Sequence, residues 1–251
     1  VNLLPPAVAE LSDDELLALY SEGAGSPWLR VNFVATIDGA ASAGGLSGSL
    51  GGPDDLRVFD LLRRMADVVL VAAGTVRDEG YGPMVLHDAD VAWRRDHGMP
   101  DHPVFAIVSR SLSLDTDSRV FTAAPVRPIV LTSVTAARSD RGRALAAVAD
   151  VVPCGGAGAP DTVDPVALRD ALVARGLRTI HCEGGPSFLG SLVAADLVDE
   201  LTLTIDPTLE GGAAPRIVRG SSPSPRRLQP AHVLRGAGDV LLTRYLRARI
   251  G

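Results

Sequence analysis

The chain has 251 residues, 46% of them hydrophobic, and a formal net charge of −6. That composition describes a globular protein with a substantial core and excludes a disordered chain, and without a basic surplus no nucleic-acid partner is expected. Lysine is absent and all 24 Lys/Arg positions are arginine, which excludes mechanisms built on a lysine Schiff base or a P-loop lysine.

In chain order, Ser12 to Glu15 reads as a capping box ahead of Leu16 and Leu17 and predicts a helix within an N-terminal extension over residues 1–28. A strand over Leu29–Ile37 ends at Asp38 and Gly39, and the small residues of Ala40–Gly52 follow. They are too many for a simple turn and bury little, so a flexible loop at an active site is expected there. Pro53 to Asp55 opens a helix through Met65. A strand over Asp67–Ala73 then breaks at Gly74 into a short helical turn carrying Thr75, Arg77, Asp78 and Glu79. Ala89–His102 reads as a surface loop, and the next strand, Val104–Ser109, presents Ser109 and Arg110 at its end.

Strands over Pro128–Thr132 and Val151–Cys154 flank a helix over Arg138–Val148, and Asp164 with Pro165 opens another helix that runs through Arg175 to a stop at Gly176. The strand Arg178–Glu183 breaks on Gly184 and Gly185 into a helix over Pro186–Ala195. Two further strands, Glu200–Pro207 and Val240–Arg247, have no helix between them, and Gly220–Pro230 reads as a loop. Interior strands such as Val68–Ala73 are apolar on both faces. Together these features predict a single α/β domain over 1–251, with a largely parallel sheet covered by helices on both sides and an antiparallel C-terminal edge.

Cys154 and Cys182 each close a buried strand and read as small core residues, which fits a reducing, cytoplasmic setting. The five histidines lack zinc-ligand spacing, so no metal is expected. No run approaches the length and apolarity of a membrane span or signal peptide, so no membrane partner is expected.

The Glu183–Ser187 junction has the chemistry of a phosphate cradle. Gly184 and Gly185 place no Cβ between backbone and ligand, Pro186 fits a first helical position, the following N–H groups sit at the positive end of the helix dipole, and Ser187 adds a hydroxyl. A tight structural turn is the alternative. Glu183 ends a buried strand, so its carboxylate must either face a ligand or be paired. In an open parallel sheet ligands collect beyond the carboxyl ends of strands. Asp38–Gly39, Gly74–Glu79, Ser109–Arg110 and Gly184–Ser187 all lie at such ends.

In order and spacing, Thr36-Ile-Asp-Gly39, Leu61-Leu-Arg-Arg64 with Ala66-Asp67, Gly74-Thr75-Val76, Glu183-Gly-Gly-Pro-Ser187 and Leu197 through Pro207 resemble the reductase domain of the bifunctional riboflavin-biosynthesis deaminase–reductase. The resemblance runs from about Leu29 to Arg247 and implies a dihydrofolate-reductase-like three-layer α/β/α fold. It also implies NADPH-dependent reduction of a ribosylamino-pyrimidinone phosphate, and a homodimer. The zinc ligands of the deaminase half are absent, so a stand-alone reductase is expected.

By position, the resemblance implies that Val34, Ala35 and Thr75 line the nicotinamide end. Gly184, Gly185, Pro186 and Ser187 hold the pyrophosphate, and Ser109 with Arg110 resembles the Ser-Arg that in dihydrofolate reductases receives the 2′-phosphate separating NADPH from NADH, with a solvated surface charge as the alternative for Arg110. On the substrate side it implies Ser47, Arg63, Glu183 and Glu79, the last replacing a more usual aspartate. Arg63 is either a clamp for the substrate phosphate or one partner of an ion pair. The chain departs from the family pattern at Pro83–Leu86, which lacks a second arginine, and at Ala40, where a basic residue is common. Those departures keep a competing substrate open. Dihydrofolate reductases hold a pterin through a carboxylate near the start of the equivalent helix, where this chain has Asp54 and Asp55. Asp55 is the candidate, with helix capping as its alternative role. A noncatalytic nucleotide or pterin sensor is a third reading. The expected chemistry is direct hydride transfer to an imine-like carbon followed by protonation, with no proton donor identified.

Overall fold

The computed structural model describes residues 10–21, 26–156, 158–220 and 225–248. The elements are α1 (Asp13–Ser21), β1 (Trp28–Thr36), α2 (Gly52–Arg64), β2 (Val68–Ala72), α3 (Ala73–Asp78), α4 (Asp88–Asp96), β3 (Val104–Val108), α5 (Arg119–Thr122), β4 (Ile129–Thr132), α6 (Val134–Ala137), α7 (Asp140–Leu145), β5 (Asp150–Pro153), α8 (Pro165–Val173), β6 (Thr179–Cys182), α9 (Pro186–Ala194), β7 (Glu200–Asp206), β8 (Leu228–Arg235) and β9 (Leu241–Arg247). The strands form one sheet in the order β5-β4-β3-β2-β6-β1-β7-β9-β8. Pairing is parallel from β5 through β7 and antiparallel at β7–β9 and β9–β8.

Side-chain alternation along each strand divides the interior into two cores. Val68 and Leu70 of β2, Ala106 of β3 and Ile129 and Leu131 of β4 join Leu168 and Leu172 of α8 and Leu189 and Leu192 of α9. The intervening Val69, Val71, Phe105, Ile107 and Val130 pack instead with Val76 of α3, Phe121 of α5 and Leu145 of α7. A strand buried on both faces needs apolar residues at every position, which is why these segments read as unbroken hydrophobic runs. A third cluster joins α1 (Leu16, Leu17, Tyr20) to α2 (Val58, Leu61, Leu62) and β9 (Leu242).

The N-terminal helix begins as its capping box predicts. Ser12 N–H donates to Glu15 Oε2 at 2.8 Å, and Glu15 N–H donates to Ser12 Oγ at 3.3 Å. A buried ionic cluster fastens this helix to the sheet. Glu200 accepts from Arg30 Nε at 2.7 Å, Arg244 Nε at 2.9 Å and Trp28 Nε1 at 2.8 Å. The two guanidinium groups also donate to the carbonyls of Tyr20 and Leu19 at the end of α1. Residues 1–9 and 22–25 of the expected N-terminal extension lie outside the described residues.

Three expectations are corrected. The segment read as a loop over Ala89–His102 is largely helical, as α4. Its polar residues misled because they are buried and satisfied: Arg94 donates to the carbonyls of Arg64, Ala66 and Pro100, and Asp90 accepts from Arg64. The segment read as a loop to Pro230 contains the start of β8 at Leu228; residues 221–224 of it lie outside the described residues. Pro230 weakens the strand signal, but on an edge strand, beside the register shift at Pro230/His232, a missing N–H breaks no ladder. The helix expected over Arg138–Val148 is shorter, running as α7 over Asp140–Leu145 with a separate turn, α6, before it; Ser133 caps α6 and Ser139 caps α7. Cys154 and Cys182 are free and buried, and burial pushes their thiols up to about 11 and about 12.

Candidate active site

A cavity of about 560 Å³ opens at the carboxyl ends of the central strands. Its walls come from β1 (Asn32, Phe33, Val34), α2 (Asp55, Phe59, Arg63), the segment at and after α3 (Thr75, Asp78, Glu79, Tyr81), and the β6–α9 junction (Glu183 to Ser187). The loop before α2 closes one side with Ala41, Ser47 and Leu50, and Arg219 and Pro215 contribute from the segment after β7. Parallel strands with helical crossovers leave such a crevice where neighbouring connections diverge.

Glu183 is the centre of this geometry. Its side chain is 1% exposed and makes a two-pronged pair with Arg63: Nε to Oε1 at 2.6 Å and Nη2 to Oε2 at 2.8 Å. Tyr81 adds its hydroxyl to Oε2 at 2.9 Å. Burial opposes the carboxylate's charge, but Arg63, then His181 and Tyr81, hold it below the ordinary carboxylate range. The same burial works against the Arg63 guanidinium, which Glu183 raises well above its usual value, while burial and then Glu183 raise the Tyr81 phenol. Arg63 also lies over the Phe59 ring, 4.1 Å from its centroid, and Tyr81 stacks on Phe105 at 6.0 Å. The aromatic walls and the paired charges fix one another.

The β6–α9 junction shows why two glycines are required. Gly184 has φ of 118°, and a Cβ there would sit 3.5 Å from the Phe33 ring. Gly185 has an extended backbone, yet a Cβ would lie 2.6 Å from Thr75 Oγ1. The peptide between them is cis. Pro186 occupies the first turn of α9 and Ser187 follows, and both line the cavity at the N-terminal end of the helix. The segment ending at Gly220 lies across this helix. Arg219 N–H donates to Pro186 O at 3.0 Å, and only glycine fits at Gly190, where a Cβ would be 1.8 Å from Arg219 O.

The loop before α2 is fastened by carboxylates. Glu79 Oε1 accepts from both N–H and Oγ of Ser47, each at 2.9 Å, and Asp206 accepts from Gly51 N–H at 3.0 Å. Asp55 accepts from Thr204 Oγ1 at 2.5 Å; its burial, reinforced by Asp206 and opposed by the Thr204 hydrogen bond, raises its carboxyl above the usual range. Its neighbour Asp54 turns elsewhere and accepts from Ala237 N–H. A Cβ on Gly51 would overlap the Asp55 carboxylate at 2.5 Å, so this glycine makes room for it.

Of the residues singled out from the sequence, Ser47, Asp55, Arg63, Glu79, Glu183, Val34, Thr75, Gly184, Gly185, Pro186 and Ser187 all line the one cavity. Ala35, Ser109 and Arg110 do not. Ala35 is buried on β1, Ser109 is buried with its Oγ accepting from Leu112 N–H at 3.0 Å, and Arg110 is exposed beyond β3. Sequence reasoning missed Phe59, Tyr81 and Arg219. Phe59 sits one helical turn before Arg63 and was recoverable from that spacing. Tyr81 and Arg219 meet the site only through tertiary contact.

The RibD C-terminal domain family model matches residues 27–242. The chain belongs to that family. An Archaeoglobus fulgidus member, named 2,5-diamino-6-ribosylamino-4(3H)-pyrimidinone 5′-phosphate reductase, is 27% identical over 199 residues, covering 78% of this chain and 88% of the relative. A solved pyrimidine reductase-like protein from Corynebacterium diphtheriae is 30% identical and superposes with a TM-score of 0.80 over 93% of this chain and 95% of its own. The riboflavin biosynthesis reductase Rib7 of Saccharomyces cerevisiae shares the fold at 18% identity, with a TM-score of 0.67 over 93% of this chain and 98% of its own. The family's matched segment takes in every wall of the cavity, from Asn32 to Arg219.

Proposed function

We propose that the chain is an NADPH-dependent reductase of a ribosylamino-pyrimidinone phosphate. One observation carries the reading: the Arg63–Glu183 pair and the Gly184–Ser187 junction share a single cavity, in a chain that aligns over most of its length with pyrimidinone phosphate reductases. The residues fit a dinucleotide. Gly184 and Gly185 bring bare backbone to the cavity wall, where a Cβ would press on Phe33 or Thr75, and Ser187, the N–H groups of α9 and Arg219 supply donors for a diphosphate. Val34 and Thr75, which line the cavity, belong to the nicotinamide end, with Ala35 buried behind them on β1. NADPH supplies the hydride when bound.

The protein's own residues position the acceptor. Ser47 and Glu79 close the loop over the cavity, and Glu183 anchors the guanidinium of Arg63 at the pyrimidine end, where Arg63 is the cation for the substrate phosphate. Purified protein should oxidise NADPH when given 2,5-diamino-6-ribosylamino-4(3H)-pyrimidinone 5′-phosphate. Turnover of dihydrofolate alone would move the reading to a pterin reductase, and NADPH binding without turnover of either substrate would make the protein a sensor.

The pterin reading has one observation in its favour, the partly desolvated Asp55 carboxylate on the cavity wall. With the pyrimidinone phosphate as substrate, Asp55→Asn should leave kcat/KM within about threefold of the parent, because no charged contact to the ligand is lost. If a pterin is reduced, the same variant should lose about tenfold or more, and steady-state kinetics on both substrates separates the two.

Cofactor choice rests on Arg110, beyond β3. NADPH should bind more tightly than NADH, and Arg110→Ala should narrow that preference by about tenfold, the effect of one charge-assisted contact. Equal affinity of the parent protein for both cofactors, measured by titration, would remove Arg110 from the site.

A further inference from the structure

His181 is buried to 1% exposure, and neither ring nitrogen has a hydrogen-bond partner among the described residues. Such groups are rare in folded proteins and each costs stability, so its position calls for an explanation. The residue lies on β6, two before Glu183 and on the same face, while Ile180 and Cys182 turn to the opposite core. Its polar neighbour is Glu183: His181 Nε2 stands 3.5 Å from Glu183 Oε1, just beyond a good hydrogen bond. Phe59, the ring beneath Arg63, meets the imidazole edge-on at 6.3 Å between centroids.

The charges around the imidazole are Glu183 on its own strand, Arg30 on β1, Arg63 on α2 and Glu200 on β7. Arg30 and Glu200 are paired to each other, and Arg63 is paired to Glu183. A carboxylate has roughly four acceptor positions. Arg63 takes two of those on Glu183 and Tyr81 a third, which leaves Oε1 open toward His181. When a ligand phosphate draws Arg63 away, Glu183 keeps Tyr81 and needs a second donor from inside the protein.

We propose that His181 is a positioning residue, whose imidazole N–H holds the Glu183 carboxylate from beneath when Arg63 turns to an anionic ligand. The inference rests on the assignment of Glu183 and Arg63 to the substrate end of the cavity. It explains why a polar ring is kept where an apolar one would pack at less cost.

The test pairs stability with kinetics in His181→Leu and His181→Gln. Leucine removes an unsatisfied buried polar group, so His181→Leu should melt higher than the parent. Its kcat/KM for the pyrimidinone phosphate should nevertheless fall about tenfold, with the acid limb of the pH–kcat/KM profile moved to higher pH as Glu183 loses its support. His181→Gln, which restores a donor at similar reach, should recover most of the activity. Parent-like kinetics and pH profile in His181→Leu would overturn the proposal, as would a lower melting temperature with a proportional loss of activity and an unmoved profile. If the parent protein itself fails to reduce the substrate, the functional assignment has failed, and NADPH titration with thermal melting of the same variants reports that failure separately.

Discussion

An Arg63→Ala variant is expected to lose about 3–5 kcal/mol of stability at neutral pH, because removing one partner of a buried ion pair leaves the other uncompensated. Glu183 is 1% exposed and keeps only Tyr81 and the more distant His181. The loss should depend on pH. In the parent protein the Glu183 carboxyl is held below its ordinary value, so its contribution to stability is complete above the unfolded-state pKa and disappears as pH falls through the folded-state value. Without Arg63, burial outweighs Tyr81 and His181 and lifts the carboxyl above its unfolded value, so the variant loses stability as pH rises through that window. The gap between the two proteins should therefore be small in acid and widen toward neutrality. Chemical denaturation at several pH values measures it, and a gap independent of pH would show that the pair contributes little.

Activity should fall in the same variant through a raised KM for the phosphorylated substrate. A double replacement, Arg63→Met with Glu183→Leu, separates the two effects. With both charges gone no buried ion is stranded, so much of the stability should return while activity does not.

The sequence reveals those parts of the site that are determined locally. The glycine pair, Pro186 and Ser187 are neighbours in the chain, and the turn they make depends on their own backbone freedom and on the helix that follows. The apolar strands are equally legible, since each carries the signature of burial on both faces. What could not be read is pairing at a distance. Arg63 and Glu183 are 120 residues apart, and nothing local to Arg63 distinguishes a phosphate clamp from an ion-pair partner. Helix α4 was missed for a related reason. Asp90 and Arg94 look like surface residues until Arg64 and the carbonyls of Arg64, Ala66 and Pro100 satisfy them inside the fold. Buried polar residues with tertiary partners are where composition misleads.

Gly185→Val should weaken NADPH binding by at least about tenfold while the protein still folds. The backbone at Gly185 is extended, with φ of −96°, so a branched residue is tolerated conformationally and the effect is one of space. A Cβ there would approach Thr75 Oγ1 to 2.6 Å and Ala72 Cβ to 3.8 Å, so Thr75 must move. The two extra methyl groups of valine then occupy the surface on which a diphosphate must lie. Thr75 lines the cavity as well, so its displacement adds to the loss. A double-mutant cycle resolves the two contributions. Gly185→Ala alone should bind NADPH weakly because its methyl group meets Thr75, whereas Gly185→Ala combined with Thr75→Ala removes the obstructing hydroxyl and should recover affinity beyond the sum of the single effects. Calorimetric titration of NADPH into the four proteins gives the coupling. Normal binding by Gly185→Val would mean that the β6–α9 junction is only a structural turn and that the diphosphate rests elsewhere in the cavity.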